Sequence, residues 1–162
     1  MTSHKLPLPC EEPLGGWPER AFRREPDFAR TFASLTSLEQ VLGATVRGEP
    51  GTYVLLVAMS GEGALPSDLI GTLAGSLCVR QLEWRQSDLQ EVMAELVRRR
   101  VELGWWSLGV GFRADGTFGV NVWTHSSAGA RSIERVAKDG MLRVFVESPS
   151  EAVMGVAGSD PS

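Results

Sequence analysis

The sequence predicts an α+β protein with a ferredoxin-like core at residues 76–148, in which an antiparallel sheet carries its helices on one face. Three observations support this. Between residues 76 and 148 the segments run strand, helix, strand, strand, helix, strand. The helical segments repeat their apolar residues every three or four positions, and most strand segments alternate with period two. The composition, 43% hydrophobic and 22% charged over 162 residues, is that of a globular chain able to bury a core without metal or cross-link.

The chain divides into a Pro-rich N-terminal segment (1–26), a single α+β domain (27–148, core 76–148) and a loose C-terminal tail (149–162). Pro7, Pro9, Pro13, Pro18 and Pro26, with Gly15 and Gly16, prevent long regular structure at the start. In "DFARTFASLTSLEQVLGATV", Phe28, Phe32, Leu35, Leu38 and Leu42 form a helical stripe, broken into two pieces if Ser37 and Gln40 start a second helix. "GTYVLLVAM" (51–59) is an apolar run after glycine and reads as a buried strand added to the core. A short helical turn follows near Ser67–Leu73, and "SLCVRQLEW" (76–84) is the first core strand.

"SDLQEVMAELVRRRVELG" is the strongest helix. Ser87 and Gln90 form a capping box, and Leu89, Val92, Met93, Leu96 and Val97 make its stripe. Asp88 and Glu91 lie near the positive end, Arg98, Arg99 and Arg100 near the negative end, and Gly104 suits the left-handed position after the last turn. "SSAGARSIERVAKDG" is the second helix, with Ala130, Ile133, Val136 and Ala137 inward and Gly140 ending it. "MLRVFVES" (141–148) is the last strand. No internal repeat is evident.

"GVGFRADGTFGVNVWTH" (109–125) reads as a hairpin with the three-residue loop Ala114-Asp115-Gly116, Gly116 taking the left-handed position. This register puts Leu108, Val110, Phe112, Phe118, Val120 and Val122 on the helix-covered face. The opposite face then carries Trp105, Ser107, Gly109, Gly111, Gly119, Asn121, Trp123 and His125, with Trp105 near His125. Phe145 and Trp84 extend this face from the flanking strands. Strand glycines mark a close approach by another chain or ligand, and aromatics beside them suit a binding face. Alternatively, the N-terminal half of the chain covers it.

Net charge is −4, which disfavours nucleic acid and anionic membranes as partners. "DGTFGVNVW" has a superficial likeness to the aromatic motif of sheet-based RNA binders. It lacks their basic start, and valine and asparagine stand where aromatic partners belong. No run of about 18 apolar residues suggests a membrane span. The N-terminus lacks the apolar stretch of a signal peptide, so a cytoplasmic location is the default. Bacterial origin is read from the near-absence of lysine beside many arginines. Cys10 and Cys78 are expected as unpaired thiols. If they are bridged, a secreted or cell-surface protein whose signal peptide is missing becomes the alternative.

The chemistries tested find little support. Only His4 and His125 exist, and neither cysteine stands with one in a recognisable nucleophilic motif. "SGEGALPSD" has no lysine for a phosphate, and Glu62 and Asp68 would repel one. No metal ligands stand at suitable spacing and no cofactor is expected. The expected function is therefore non-catalytic binding of another protein, in the manner of inhibitors, prosegments or immunity partners, or of a second copy of the chain. A small-ligand sensor, with ligand between sheet and N-terminal segment, is the alternative, and a Cys/His enzyme comes third.

Overall fold

The computed structural model describes residues 10–61, 64–73, 75–137 and 140–147. The 149–162 tail lies outside them. The chain is α+β; among the described residues there are two mixed sheets of three strands each and five α-helices. Two compact units hold these elements. Of the described residues, those up to 87, with 112–118, form the first, and 88–111, with those from 119 to 147, form the second.

In the first unit, α1 (Phe28–Thr36) precedes the hairpin of β1 (Val41–Glu49) and β2 (Thr52–Ser60). α2 (Ser67–Thr72) then leads to β3 (Leu77–Leu82), which pairs in parallel with β2. The helix expected to run on past Ser37 stops there, and Val41–Glu49 is a strand. The apolar spacing at Leu38 and Leu42 fits either period. Gly43, Thr45 and Val46 disfavour a helix, and the Pro50-Gly51 turn offers β2 as a partner. Gly51 takes φ 92° there.

β2 is buried on both faces, which is why its sequence reads as an unbroken apolar run. Leu55, Val57 and Met59 pack with Phe22, Leu35 and Leu73, and Phe28 and Phe32 of α1 close over them. Val54, Leu56 and Cys78 face the other way, against Cys10, Trp17 and Phe112. Cys10 and Cys78 form a disulfide, with Cα atoms 5.8 Å apart. This corrects the expectation of unpaired thiols. The backbone holds the N-terminal segment further along. Arg20 N–H donates to the Gly51 carbonyl at 2.7 Å, and Tyr53 N–H donates to the Arg20 carbonyl at 3.3 Å.

The second unit takes α3 (Gln86–Arg98) from Asp88 on, α4 (Arg100–Leu103), and the hairpin of β4 (Trp105–Phe112) and β5 (Phe118–Thr124) apart from its tip at 112–118, which belongs to the first unit. α5 (Ser127–Glu134) leads to β6 (Leu142–Val146), parallel to β5. Gly104 takes the expected left-handed conformation, φ 72°. Ser126 caps α5, its side-chain oxygen accepting from Gly129 N–H. Ser87 lies inside α3 rather than before it. Val120, Val122, Leu96 and Ile133 are fully buried.

The element order expected from 76 to 148 is present. The pairing differs from one antiparallel sheet: β3 belongs to the sheet β1-β2-β3, and β4, β5 and β6 form the other. Both sheets contain a parallel pair. The order of elements along a chain does not fix which strands become neighbours. Here β2, read as an addition to the core, is the central strand that takes β3.

The two units share one connectivity, helix, hairpin, helix, parallel third strand. Leu55 faces Leu77 in the first and Val120 faces Leu142 in the second, at the same separation along the chain. Leu55 N–H donates to the Ser76 carbonyl at 2.8 Å, and Val120 N–H to the Met141 carbonyl at 2.7 Å. Gly75 and Gly140 occupy equivalent places before these strands, both at φ 78°. The structure thus contains a repeat that the sequence does not show, because side chains that fill a core can diverge while the backbone pattern stays.

Candidate functional site

The β4–β5 hairpin has the expected three-residue loop. Arg113 N–H donates to the Thr117 carbonyl at 2.7 Å, Gly116 N–H to the Arg113 carbonyl at 3.0 Å, and Gly116 has φ 86°. Asp115 Oδ1 accepts from the Thr117 N–H and hydroxyl, fixing the turn. The rings of Phe112 and Phe118 meet edge to face at 5.0 Å, as that register requires.

The predicted face is open on one strand and closed on the other. On β5, Gly119 is buried and Asn121 is 7% exposed. The Asn121 side-chain amide points at the Gly111 carbonyl, 3.5 Å away. On β4, Ser107, Gly109 and Gly111 are partly buried. A Cβ added at Gly109 or Gly111 would meet nothing within 4 Å. Trp123 stacks on Phe145 at 5.2 Å, so β6 does extend this face. Trp84 belongs to the first unit. Trp105 is turned to the helices: its Nε1–H donates to the Leu96 carbonyl at 2.8 Å, and the Arg100 guanidinium lies 4.9 Å above its ring.

Two placements differ from expectation. His125 lies against Trp106, not Trp105, with ring centroids 5.5 Å apart and planes 10° from parallel. Its Nδ1 is 2.7 Å from the Glu147 carbonyl, so Nδ1 carries the proton of that hydrogen bond. The other difference is Val110, assigned to the covered face but 41% exposed, while its β5 counterparts Val120 and Val122 are sealed. Trp106, on the same side of β4, is 39% exposed. The exposed apolar surface of the hairpin thus follows the outer strand rather than one face.

β4 ends its sheet, as do β1, β3 and β6. Free sheet edges invite pairing, and proteins guard them with charges, prolines and bulges. β1 carries Arg47, Glu49 and a register shift between Val41 and Gly43. β3 carries Arg80 and β6 carries Arg143. β4, "WWSLGVGF", has no charge and no proline. Sequence reasoning missed Trp106 and Val110 because it sorted residues by face. The signal for the edge, eight residues without one charge, was present.

The first unit holds a separate open cleft of about 760 Å³ between the N-terminal segment and the β1–β2 turn, lined by Glu19, Arg20, Arg24, Glu25 and Tyr53 among others. Arg20 is committed within it, bonded to Glu25 and to the Thr72 carbonyl. Among the described residues no group of three or more His, Cys, Asp and Glu side chains could hold a metal, and no helix is long and apolar enough to cross a membrane. Neither a protein-family model nor a curated protein matches this chain.

Proposed function

We propose that this protein acts without catalysis, by binding a protein strand along the outer edge of β4. The observation that carries this reading is the unguarded edge itself, with Trp106 and Val110 exposed beside it. An added strand gains main-chain hydrogen bonds along the edge, and pockets for alternate side chains supply selectivity. Trp106, stacked on His125, is a rigid aromatic anchor of the kind that dominates binding energies. The Cys10–Cys78 bridge suits an oxidising compartment, so we place the protein outside the cytosol, at the cell surface or beyond it.

Photo-cross-linking in the producing cell tests the binding site. A benzophenone side chain at position 110 is expected to give a discrete protein adduct, and the same group at exposed Ile70 on α2 none. Equal labelling from both positions, or none from position 110, would remove the edge as the site.

A second reading has its own observation. The cleft beside Arg20 and Arg24 lies where a ligand held by the N-terminal segment would sit. Tyr53, which lines the cleft, would report occupancy by its fluorescence. A screen of small organic anions that leaves this emission unchanged would count against it.

A further inference from the structure

We infer that the strand which pairs with β4 is β4 of a second copy, in an isologous antiparallel dimer with its two-fold axis at Leu108; this rests on the reading of β4 as a protein-binding edge. Hydrogen-bond parity supports the arrangement. Arg113 N–H bonds inward to Thr117 on the neighbouring side of the hairpin. Backbone groups alternate in direction along a strand, so Arg113, Gly111, Gly109 and Ser107 address β5. Trp106, Leu108 and Val110 then direct their N–H and C=O groups outward.

A two-fold axis at Leu108 places Leu108 opposite its own copy and Trp106 opposite Val110 in both directions. All three residues use outward-facing groups, giving about six new main-chain hydrogen bonds in the alternation of an antiparallel ladder. The two exposed apolar residues of the edge cover one another, and no charge is buried because the strand has none.

The other side of the strand fits as well. The same axis sets Trp105 opposite Gly111 and Ser107 opposite Gly109. Cα atoms at such non-bonded positions approach to about 4.5 Å, where two large side chains would crowd. Here the larger member always meets a glycine, and the Cβ positions of both glycines are open. Trp105 is already fixed by Leu96 and Arg100, so it presents a defined surface to the partner's backbone. Moving the axis to Ser107 would place Trp106 opposite Leu108 and Val110 opposite Gly104, and would lose the match of exposed Trp106 to exposed Val110. Glycines that weaken a strand by about 0.5–1 kcal/mol each thereby gain a role as sites of close approach.

The test uses the intact chain. Sedimentation velocity over a range of concentrations is expected to show a monomer–dimer equilibrium. Hydrogen exchange at the two ends of that range is expected to show added protection at the N–H groups of Trp106, Leu108 and Val110, with those of Ser107 and Gly109 unchanged. Val110→Lys should weaken dimerisation at least tenfold. A wild-type chain that stays monomeric at the highest concentration, or a dimer whose added protection lies elsewhere, overturns the inference. The exchange measurement needs no substitution, so it decides even if the lysine variant misfolds. A monomer that still cross-links at position 110 to a different protein would sink self-pairing and leave the binding edge standing. A monomer with no adduct would remove both.

Discussion

The two units share a connectivity but differ in how they finish it. In the first, β2 is closed on one face by α1 and on the other by a strap tied through Cys10–Cys78. Its outer strands carry Arg47, Glu49 and Arg80. In the second, β5 is as deeply buried, Val120 and Val122 having no exposed surface, yet β4 beside it is left apolar, uncharged and partly open. The same backbone plan therefore gives a stabilised unit and one with a free edge. Burial of the central strand is what the fold needs, whereas the outer strand can differ in charge and exposure.

Removing the strap should break this comparison most strongly. The disulfide closes a loop with a sequence separation of 68. On the chain-entropy account its loss costs about 4 kcal/mol at this loop length. Cys10→Ala with Cys78→Ser should lower the denaturation midpoint, and hydrogen exchange should rise first at Val54 and Leu56, whose face the strap covers. Equal loss of protection at Val120 and Val122 would show that the two units do not unfold separately.

Next in size is Gly43. A Cβ there would lie 2.7 Å from the Phe118 ring, and that ring is 2% exposed and cannot swing away freely. Gly43→Ala is expected to cost about 1–3 kcal/mol, as overpacking does, measured by urea unfolding. Gly109→Ala, with open space around its Cβ and no left-handed backbone, should instead stabilise the monomer by about 0.5–1 kcal/mol. If the two change stability alike, packing is not what distinguishes them.

The sequence carried some of this well and some not at all. β2, α3 and the β4–β5 hairpin were legible because each has its own local signal: an unbroken apolar run, a helical stripe ended by Gly104, and a glycine turn whose length is set by side-chain parity. β1 was read as helix because Leu38 and Leu42 fit both periods, and only pairing with β2 decides between them. The partner of β3 was not legible, since strand order along a chain says little about lateral neighbours. Of the expected face, Trp123 and Phe145 came together as parity required. Burial was another matter. Parity tells which residues share a side but not which strand lies outermost, so Val110 was placed inside and Asn121 outside, the reverse of their exposures.

Gly75 and Gly140 sharpen the equivalence of the units. Both hold φ 78°, where a Cβ is strained. Alanine at either should cost about 1 kcal/mol on that account. The costs should still differ in a set direction. A Cβ at Gly75 would stand 3.0 Å from Pro18 Cγ, whereas one at Gly140 meets nothing within 4 Å. Gly75→Ala should therefore be the more damaging, and the excess should shrink when the disulfide is removed and the strap with Pro18 can relax. An excess that survives reduction would mean that the strap is held by its other contacts, at Arg20 and Phe22, and not by the bridge.

The smallest effect belongs to the end of α3, which has no counterpart in the first unit. Hydrogen bonds from Arg98 hold the Glu95 carboxyl below its usual value, and Arg99 does the same for Glu102. A carboxyl depressed in the folded state contributes stability above its unfolded value and loses that contribution as pH falls through the folded one. These side chains are exposed, so salt screens them and the effect is small. Wild type and Glu102→Gln should thus differ slightly at neutral pH in low salt, and converge both in high salt and on acidification past the usual carboxylate range. A difference that persists in acid would show that Glu102 contributes through packing of its stem beside Arg99 rather than through its charge.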